Sequence, residues 1–347
     1  MSTSWPTNPT VNNLNLPSSP SLEPSGLTFV TDSDGTVWLF VASDNGYLTR
    51  GSLDTSSPPV VTWNTAFKFQ EKKNKLGDYE SVTSTGPNQI MVGIEGDAAN
   101  DKNDPTDPSV PYPIIARFDI TYTSDGNDIG NFTNSQWTLS DFTNPSGKAN
   151  KGMEGLTFVP NGSYPTSWLL NSPRNPNGEP NYRPHYGGLF FTATQASPAT
   201  IFVYDLGAGN GDSHSVASFE TLYTMNSDGF PPNLDGSSVS NGPSGQLQIS
   251  DLFFDQTSRV LYVLYDGDSG NDYLQALVLS TSNGTFSQIW AVQTPFQGCE
   301  GLAVSGDDLY LAVDLSSHQT GAAPLSQDGV YQFPGFISTM NSQVNTR

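Results

Sequence analysis

The chain is short of positive charge, of cysteine and of histidine, and each shortage closes off a class of function. Lys and Arg number 13 against 34 Asp and Glu in 347 residues, a formal net charge of -21. Nucleic acids and anionic membranes are held by cations that neutralise phosphate, so a surface of this sign repels both. The densest basic run, with Lys68, Lys72, Lys73 and Lys75, reads as a solvated loop. Cys299 is the sole cysteine, which excludes an intrachain disulfide and a cysteine-based zinc site; beside Glu300 it reads as a small buried apolar side chain. Three separated histidines argue against a tris-histidine metal site. No apolar run is long enough to cross a bilayer, and Met1 to Pro6 lacks the basic and apolar segments of a signal peptide. Neither a glycine-rich phosphate cradle nor a serine in a nucleophile elbow is present, and Asp212-Ser213-His214 is a local coincidence.

What the chain does have is Gly (33) and Pro (26), which punctuate short elements and are costly inside helices. An all-β domain with many turns is the expectation. One pattern returns five times: a short apolar strand, a turn, and a second apolar strand ending in a polar or acidic residue. The first strands open at Ser25-Gly26-Leu27-Thr28, Glu80-Ser81-Val82-Thr83, Glu154-Gly155-Leu156-Thr157, Ser250-Asp251-Leu252 and Glu300-Gly301-Leu302. Their partners close at Asp44, Glu95, Gln195, Asp266 and Asp314. Two further strands follow most pairs, and four strands per unit repeated radially make a β-propeller. The spacing predicts one domain over 1–347, with blades near 25–69, 80–142, 154–225, 250–293 and 300–333. The last blade lacks a fourth strand, and residues 10–16 are placed to supply it and close the ring, removing an exposed edge. Five blades are favoured; a sixth stays open should a long intervening segment hide a degenerate one.

The start of the innermost strand and the end of its antiparallel neighbour share one end of the channel. Glu80, Glu154 and Glu300, with Asp44, Glu95, Asp266 and Asp314, are therefore expected to converge on one mouth. Crowded carboxylates raise one another's pKa values unless a cation sits among them. Three outcomes stand side by side: a Ca²⁺ ion held by those seven acids, a protonated carboxyl acting as general acid beside an ionised partner, or side chains that cap turns and face solvent. Loops 96–107 and 266–272, rich in Asp, Asn and Gly, offer calcium-type ligands without an EF-hand layout. His318, on a loop over the same face, is a candidate catalytic residue with Glu80, Glu154 and Glu300. The insert between Pro160 and Gly188, with Arg174, Tyr182, Arg183, His185 and Tyr186, falls at the opposite end and reads chiefly as packing beneath the ring.

Asp78-Tyr79-Glu80-Ser81-Val82, Gly152-Met153-Glu154-Gly155-Leu156-Thr157 and Gly298-Cys299-Glu300-Gly301-Leu302-Ala303 resemble the inner-strand signature of phytase-like and SdiA-regulated-like propellers. That resemblance implies a propeller with calcium at its axis, and it touches this chain at Glu80, Glu154 and Glu300. A phosphate-ester hydrolase of that kind is expected to set Lys and Arg beside its calcium, and this acidic face offers almost none; calcium-dependent esterases or lactonases need fewer. The leading expectation is thus a calcium-dependent hydrolase of an ester, a lactone or a similar small polar substrate. A carbohydrate- or protein-binding propeller is the alternative, as is a glycoside hydrolase using the three glutamates. A monomer in an extracellular setting, with no nucleic-acid or membrane partner, completes the expectation.

Overall fold

A computed structural model describes residues 4–18, 20–54, 59–64, 67–68, 79–95, 113–120, 131–139, 152–171, 186–194, 200–206, 216–224, 248–266, 272–315 and 327–345. After the two-residue strand β1 (Asn12–Asn13), the first blade comprises β2 (Pro24–Thr31), β3 (Val37–Ser43), β4 (Tyr47–Asp54) and β5 (Val60–Trp63), with β6 (Phe67–Lys68) also pairing with β4. The second is β7 (Tyr79–Gly86), β8 (Gln89–Ile94), β9 (Ile114–Asp119) and β10 (Asn131–Thr138). The third is β11 (Met153–Pro160), β12 (Gly188–Thr194), β13 (Thr200–Leu206) and β14 (Val216–Thr224). The fourth is β15 (Gln248–Asp255), β16 (Val260–Asp266), β17 (Tyr273–Leu279) and β18 (Phe286–Gln293). In the fifth, β19 (Cys299–Ser305), β20 (Asp308–Val313) and β21 (Gly329–Phe333) are completed by β1. This is the five-bladed propeller, antiparallel within each blade and closed by an N-terminal strand, that the repeat implied.

Val, Leu, Ile, Phe and Tyr dominate the central strands because those strands are covered on both faces, as in the wholly buried β16. Short polar turns reverse the chain between them. Asp32 Oδ1 accepts the N–H groups of Asp34 and Thr36 at 2.9 Å each, beside Gly35 at φ 82.

The apolar core is divided among the seams between blades. Val30 and Phe40 meet Tyr79 and Val92 between blades one and two, and Met91 and Trp137 meet Leu156 and Phe190 at the next seam. Phe191 and Ile201 meet Leu252 and Leu261 between blades three and four. Tyr262 and Trp290 meet Leu302 and Tyr331 between four and five. Leu27 and Val41 meet Ala303 and Tyr310 where the ring closes. Hydrogen bonds cross the same seams, Thr83 Oγ1 accepting Phe158 N at 3.0 Å and Thr157 Oγ1 accepting Phe254 N at 2.8 Å.

Two helical pieces were not foreseen: a 3-10 turn, Thr166–Asn171, and a C-terminal helix, α1 (Phe336–Asn345). Phe336, Ile337 and Met340 bury one side of α1. The Trp5 ring packs on Phe296, Phe333 and Phe336 at centroid distances of 5.5, 5.5 and 4.6 Å, and Trp290 Nε1 donates to Asn341 Oδ1 at 3.1 Å. Among the described residues no helix is long and apolar enough to cross a membrane.

Candidate functional site at the mouth of the propeller

All five innermost strands carry the same irregularity at the same place. Pairing slips by one residue between Pro24 and Leu27, Tyr79 and Ser81, Met153 and Gly155, Ile249 and Asp251, and Cys299 and Gly301. A bulge leaves one residue unpaired and redirects its side chain. In blades two to five the unpaired residues are Glu80, Glu154, Ser250 and Glu300; in blade one the slip spans Ser25 and Gly26.

Serine and glutamate use the position differently. Ser25 Oγ donates to Tyr79 O at 2.6 Å and Ser250 Oγ to Cys299 O at 3.1 Å, so each serine ties its blade to the residue preceding the next blade's glutamate. The glutamates form part of a field of negative charge. Burial, and then the charges of Glu154, Asp44, Glu95 and Glu300, raise the Glu80 carboxyl well above the usual glutamate value. Burial, then Asp266, Asp44, Asp272 and Asp314, do the same to Glu300, although that residue as a whole is only half-buried. All seven sequence-predicted acids thus lie within one mutually interacting group. Glu80 and Glu154 are 8% and 6% exposed, Glu95, Asp266 and Asp314 are buried, and Asp44 is half-buried.

One of them has a defined structural task. Glu95 Oε1 accepts Gly152 N at 2.7 Å, and a Cβ on Gly152 would lie 2.6 Å from Glu95 Cγ, so the glycine is what lets the carboxylate close on the backbone. Two members of the mouth were not picked out from the sequence. Asp251, 2% exposed, accepts Leu252 N at 2.7 Å on Oδ1 and Leu302 N at 2.8 Å on Oδ2. Burial raises its carboxyl well above the ordinary range, while the N–H groups of Leu302, Leu252 and Leu27 pull it back. Asp272, 1% exposed, accepts Cys299 N at 2.9 Å on Oδ2 and stands among the charges acting on Glu300. The signal for Asp251 was present, since Ser-Asp-Leu replaces the repeated Glu-Gly-Leu. Asp272 opens a third strand and sits in no repeat. Cys299 is buried, as expected, and burial with Asp272 beside it lifts its thiol well above the usual value.

Hard oxygen donors and a surplus of negative charge suit Ca²⁺ in kind. Grouping is another matter: among the described residues no three Asp, Glu, His or Cys side chains are assembled as a metal-ligand set. His318, Gln195, loop 96–107 and residues 267–271 lie outside the described residues, as do Arg174, Tyr182, Arg183 and His185 of the insert. A cavity of about 590 Å³ lies away from the mouth, beside the turns of blades one and two, lined by Asp32, Asp34, Asn88, Gln89, Arg117 and Asp119 among others. Its charged groups are largely occupied within the protein: Asp32 Oδ2 accepts Trp38 Nε1 at 2.8 Å, and Arg117 Nε donates to Asp119 Oδ1 at 2.9 Å.

Residues 23–265 match a protein-family profile described as "Phytase-like: Esterase-like activity of phytase". No curated protein matches the chain. Among solved structures, a PQQ-bound aldose sugar dehydrogenase from Streptomyces coelicolor is 13% identical, with 94% of this chain and 98% of that one covered and a TM-score of 0.42. A gluconolactonase from Xanthomonas campestris is 10% identical, with 88% and 70% covered and a TM-score of 0.39. A luciferin-regenerating enzyme is 12% identical, with 94% and 95% covered and a TM-score of 0.38. Likenesses this distant say nothing of the chemistry at the mouth.

Proposed function

Because the chain belongs to the phytase-like family described by esterase-like activity, we propose that it hydrolyses an ester, a lactone or a related small polar substrate at the acidic mouth. The observation that carries the reading is Glu80, a buried carboxyl held above its ordinary pKa by its burial and by the charge of Glu154. Paired carboxyls in different protonation states suit general acid–base catalysis. In this scheme Glu154 takes a proton from the water that attacks the acyl carbon. The Glu80 proton passes to the oxygen that leaves, and proton exchange between the two carboxyls or with solvent restores the pair. The phosphate-ester version of the chemistry is disfavoured by the charges acting on Glu80 and Glu300, which are negative.

Ca²⁺ is the proposed cofactor on charge and donor type alone, with Glu80, Glu154 and Glu300, and Asp44, Glu95, Asp266 and Asp314 around them, as its oxygen donors. When bound it would supply Lewis-acid polarisation of the substrate carbonyl. No step above depends on it.

A panel of aryl esters and lactones, assayed with and without EDTA, tests the proposal, and calorimetry on EDTA-treated protein reads calcium binding directly. We expect turnover by the wild type and a loss of about 100-fold or more in kcat for E154Q, in line with removal of an acid–base group. An E154Q rate equal to wild type would take the glutamate pair out of the reaction. No turnover of any ester or lactone, together with ligands on a carbohydrate array, would instead assign a binding role. Absence of calcium binding would remove the ion and leave the carboxyl pair.

A further inference from the structure

We propose that Asp251 is a positioning residue, setting through its two carboxylate oxygens the bulge that presents Glu300 at the mouth. The kinetic part of this proposal rests on the hydrolase reading; the geometric part does not. In blades one, three and five the corresponding position is Gly26, Gly155 or Gly301, and a Cβ there would lie 2.5 Å from Ser81 Cα, 2.9 Å from Leu252 N or 1.8 Å from Ser25 O. Inner strands are therefore so close that a side chain is excluded. Blade four breaks the rule with Asp251, and the carboxylate fills that space by bonding to backbone. Oδ1 accepts Leu252 N at 2.7 Å within its own strand, and Oδ2 accepts Leu302 N at 2.8 Å from blade five. The Leu27 N–H, from blade one, acts on the same carboxylate. One buried side chain thus links the backbones of three blades around Glu300.

The other side of the bulge is held from blade four as well. Ser250 Oγ donates to Cys299 O at 3.1 Å, and Asp272 Oδ2 accepts Cys299 N at 2.9 Å. The stretch from Cys299 to Leu302 is fixed at both ends, with Glu300 between them. Asparagine cannot reproduce this at position 251. An amide has one acceptor oxygen and one donor nitrogen, and both carboxylate oxygens receive N–H groups, so the amide nitrogen would face a donor. Displacing a reacting group by about 1 Å can cost on the order of 100-fold in rate.

The test compares wild type, D251N and S250A on an ester or lactone that the wild type turns over, with hydrogen exchange followed at the amides from Cys299 to Leu302. For D251N we expect kcat to fall about 10- to 100-fold with KM within about twofold, the pattern of misplacement and not of lost substrate binding. Exchange at Leu302 should quicken about 10-fold or more while strands of blades two and three keep their protection. S250A removes one hydrogen bond and should lower kcat about twofold to fivefold in the same direction. A folded D251N with wild-type kcat, or exchange that quickens evenly across the ring, would overturn the proposal; so would an unfolded D251N paired with an S250A of unchanged kcat. Should the wild type hydrolyse nothing, the hydrolase reading falls by itself. Exchange in D251N then decides the positioning role: acceleration confined to the Cys299–Leu302 stretch upholds it, and its absence ends it.

Discussion

Glu80 links protonation to folding in a direction opposite to that of a salt-bridged acid. In the native state burial and the surrounding carboxylates hold its proton to a higher pH than the unperturbed value of 4.5. Between 4.5 and that raised value the native chain binds more protons than the unfolded chain. The stability from this group is therefore complete below the ordinary glutamate range and drains away as pH rises through the native value. E80Q removes the coupled proton. Urea unfolding of wild type and E80Q in EDTA should diverge across the window by up to about 1.4 kcal/mol per pH unit, with E80Q losing less as pH rises. Parallel curves would show that Glu80 ionises freely in the folded protein. The glutamates themselves were legible in the sequence because the same residue opens three equivalent strands. Asp251 and Asp272 were not picked out. Nothing local distinguishes a carboxylate that will accept backbone N–H groups from one that faces solvent, because its partners, Leu302, Leu27 and Cys299, come from other strands.

At the scale of the element, alternation and turn residues located the strand pairs but could not reveal the bulges. A bulge is a property of pairing, and it appears only when the numbers of residues on two strands are compared. Its presence on every inner strand accounts for a glutamate in a run such as Met153-Glu154-Gly155-Leu156, which does not follow a two-residue alternation. The glycine after the bulge has its own role, allowing neighbouring inner strands to touch. G301A would drive a methyl group to within 1.8 Å of Ser25 O, a backbone atom with little room to yield. Overpacking of this kind costs about 1–3 kcal/mol. Gly86 supplies the control, since it ends β7 with nothing within 4 Å of an added Cβ. G86A is expected to stay within about 0.5 kcal/mol of wild type, as surface substitutions do. Denaturant midpoints for the two variants check this pair, and equal midpoints would mean that the inner strands are not in tight contact. The C-terminal helix escaped the sequence reading for a different reason. Only Phe336, Ile337 and Met340 of its ten residues are buried, too short an apolar pattern to stand out after a run of strands.

The whole ring depends on a closure far smaller than the seams it completes. Residues 10–16 were expected to supply the missing outer strand, and the ladder that forms is two residues long, Asn12 opposite Gln332 and Asn13 opposite Tyr331. Leu14 N adds a bond to Val330 O at 2.9 Å, and Asn12 Nδ2 donates to Gln332 Oε1 at 2.9 Å. Backbone pairing this short is a weak fastener, so side chains must provide most of the hold. Leu14 is buried in the seam between blades five and one, Trp63 Nε1 of blade one donates to Leu14 O at 2.8 Å, and Trp5 packs among Phe296, Phe333 and Phe336. The N-terminal segment thereby touches both blades that flank the ring's opening as well as the C-terminal helix. Burial of a large apolar side chain contributes about 1.5–3 kcal/mol. The double variant W5A/L14A, which keeps the backbone that pairs with β21, should lose about 3–6 kcal/mol, measured by urea unfolding. A form lacking residues 1–16 would lose the same contacts and also leave β21 as an open edge, which invites pairing with a second chain. Size-exclusion chromatography should then show self-association for the truncated form and not for W5A/L14A. If both remain monomeric and as stable as wild type, closure is maintained by the inner strands alone and the N-terminal strand is an ornament on a ring already complete.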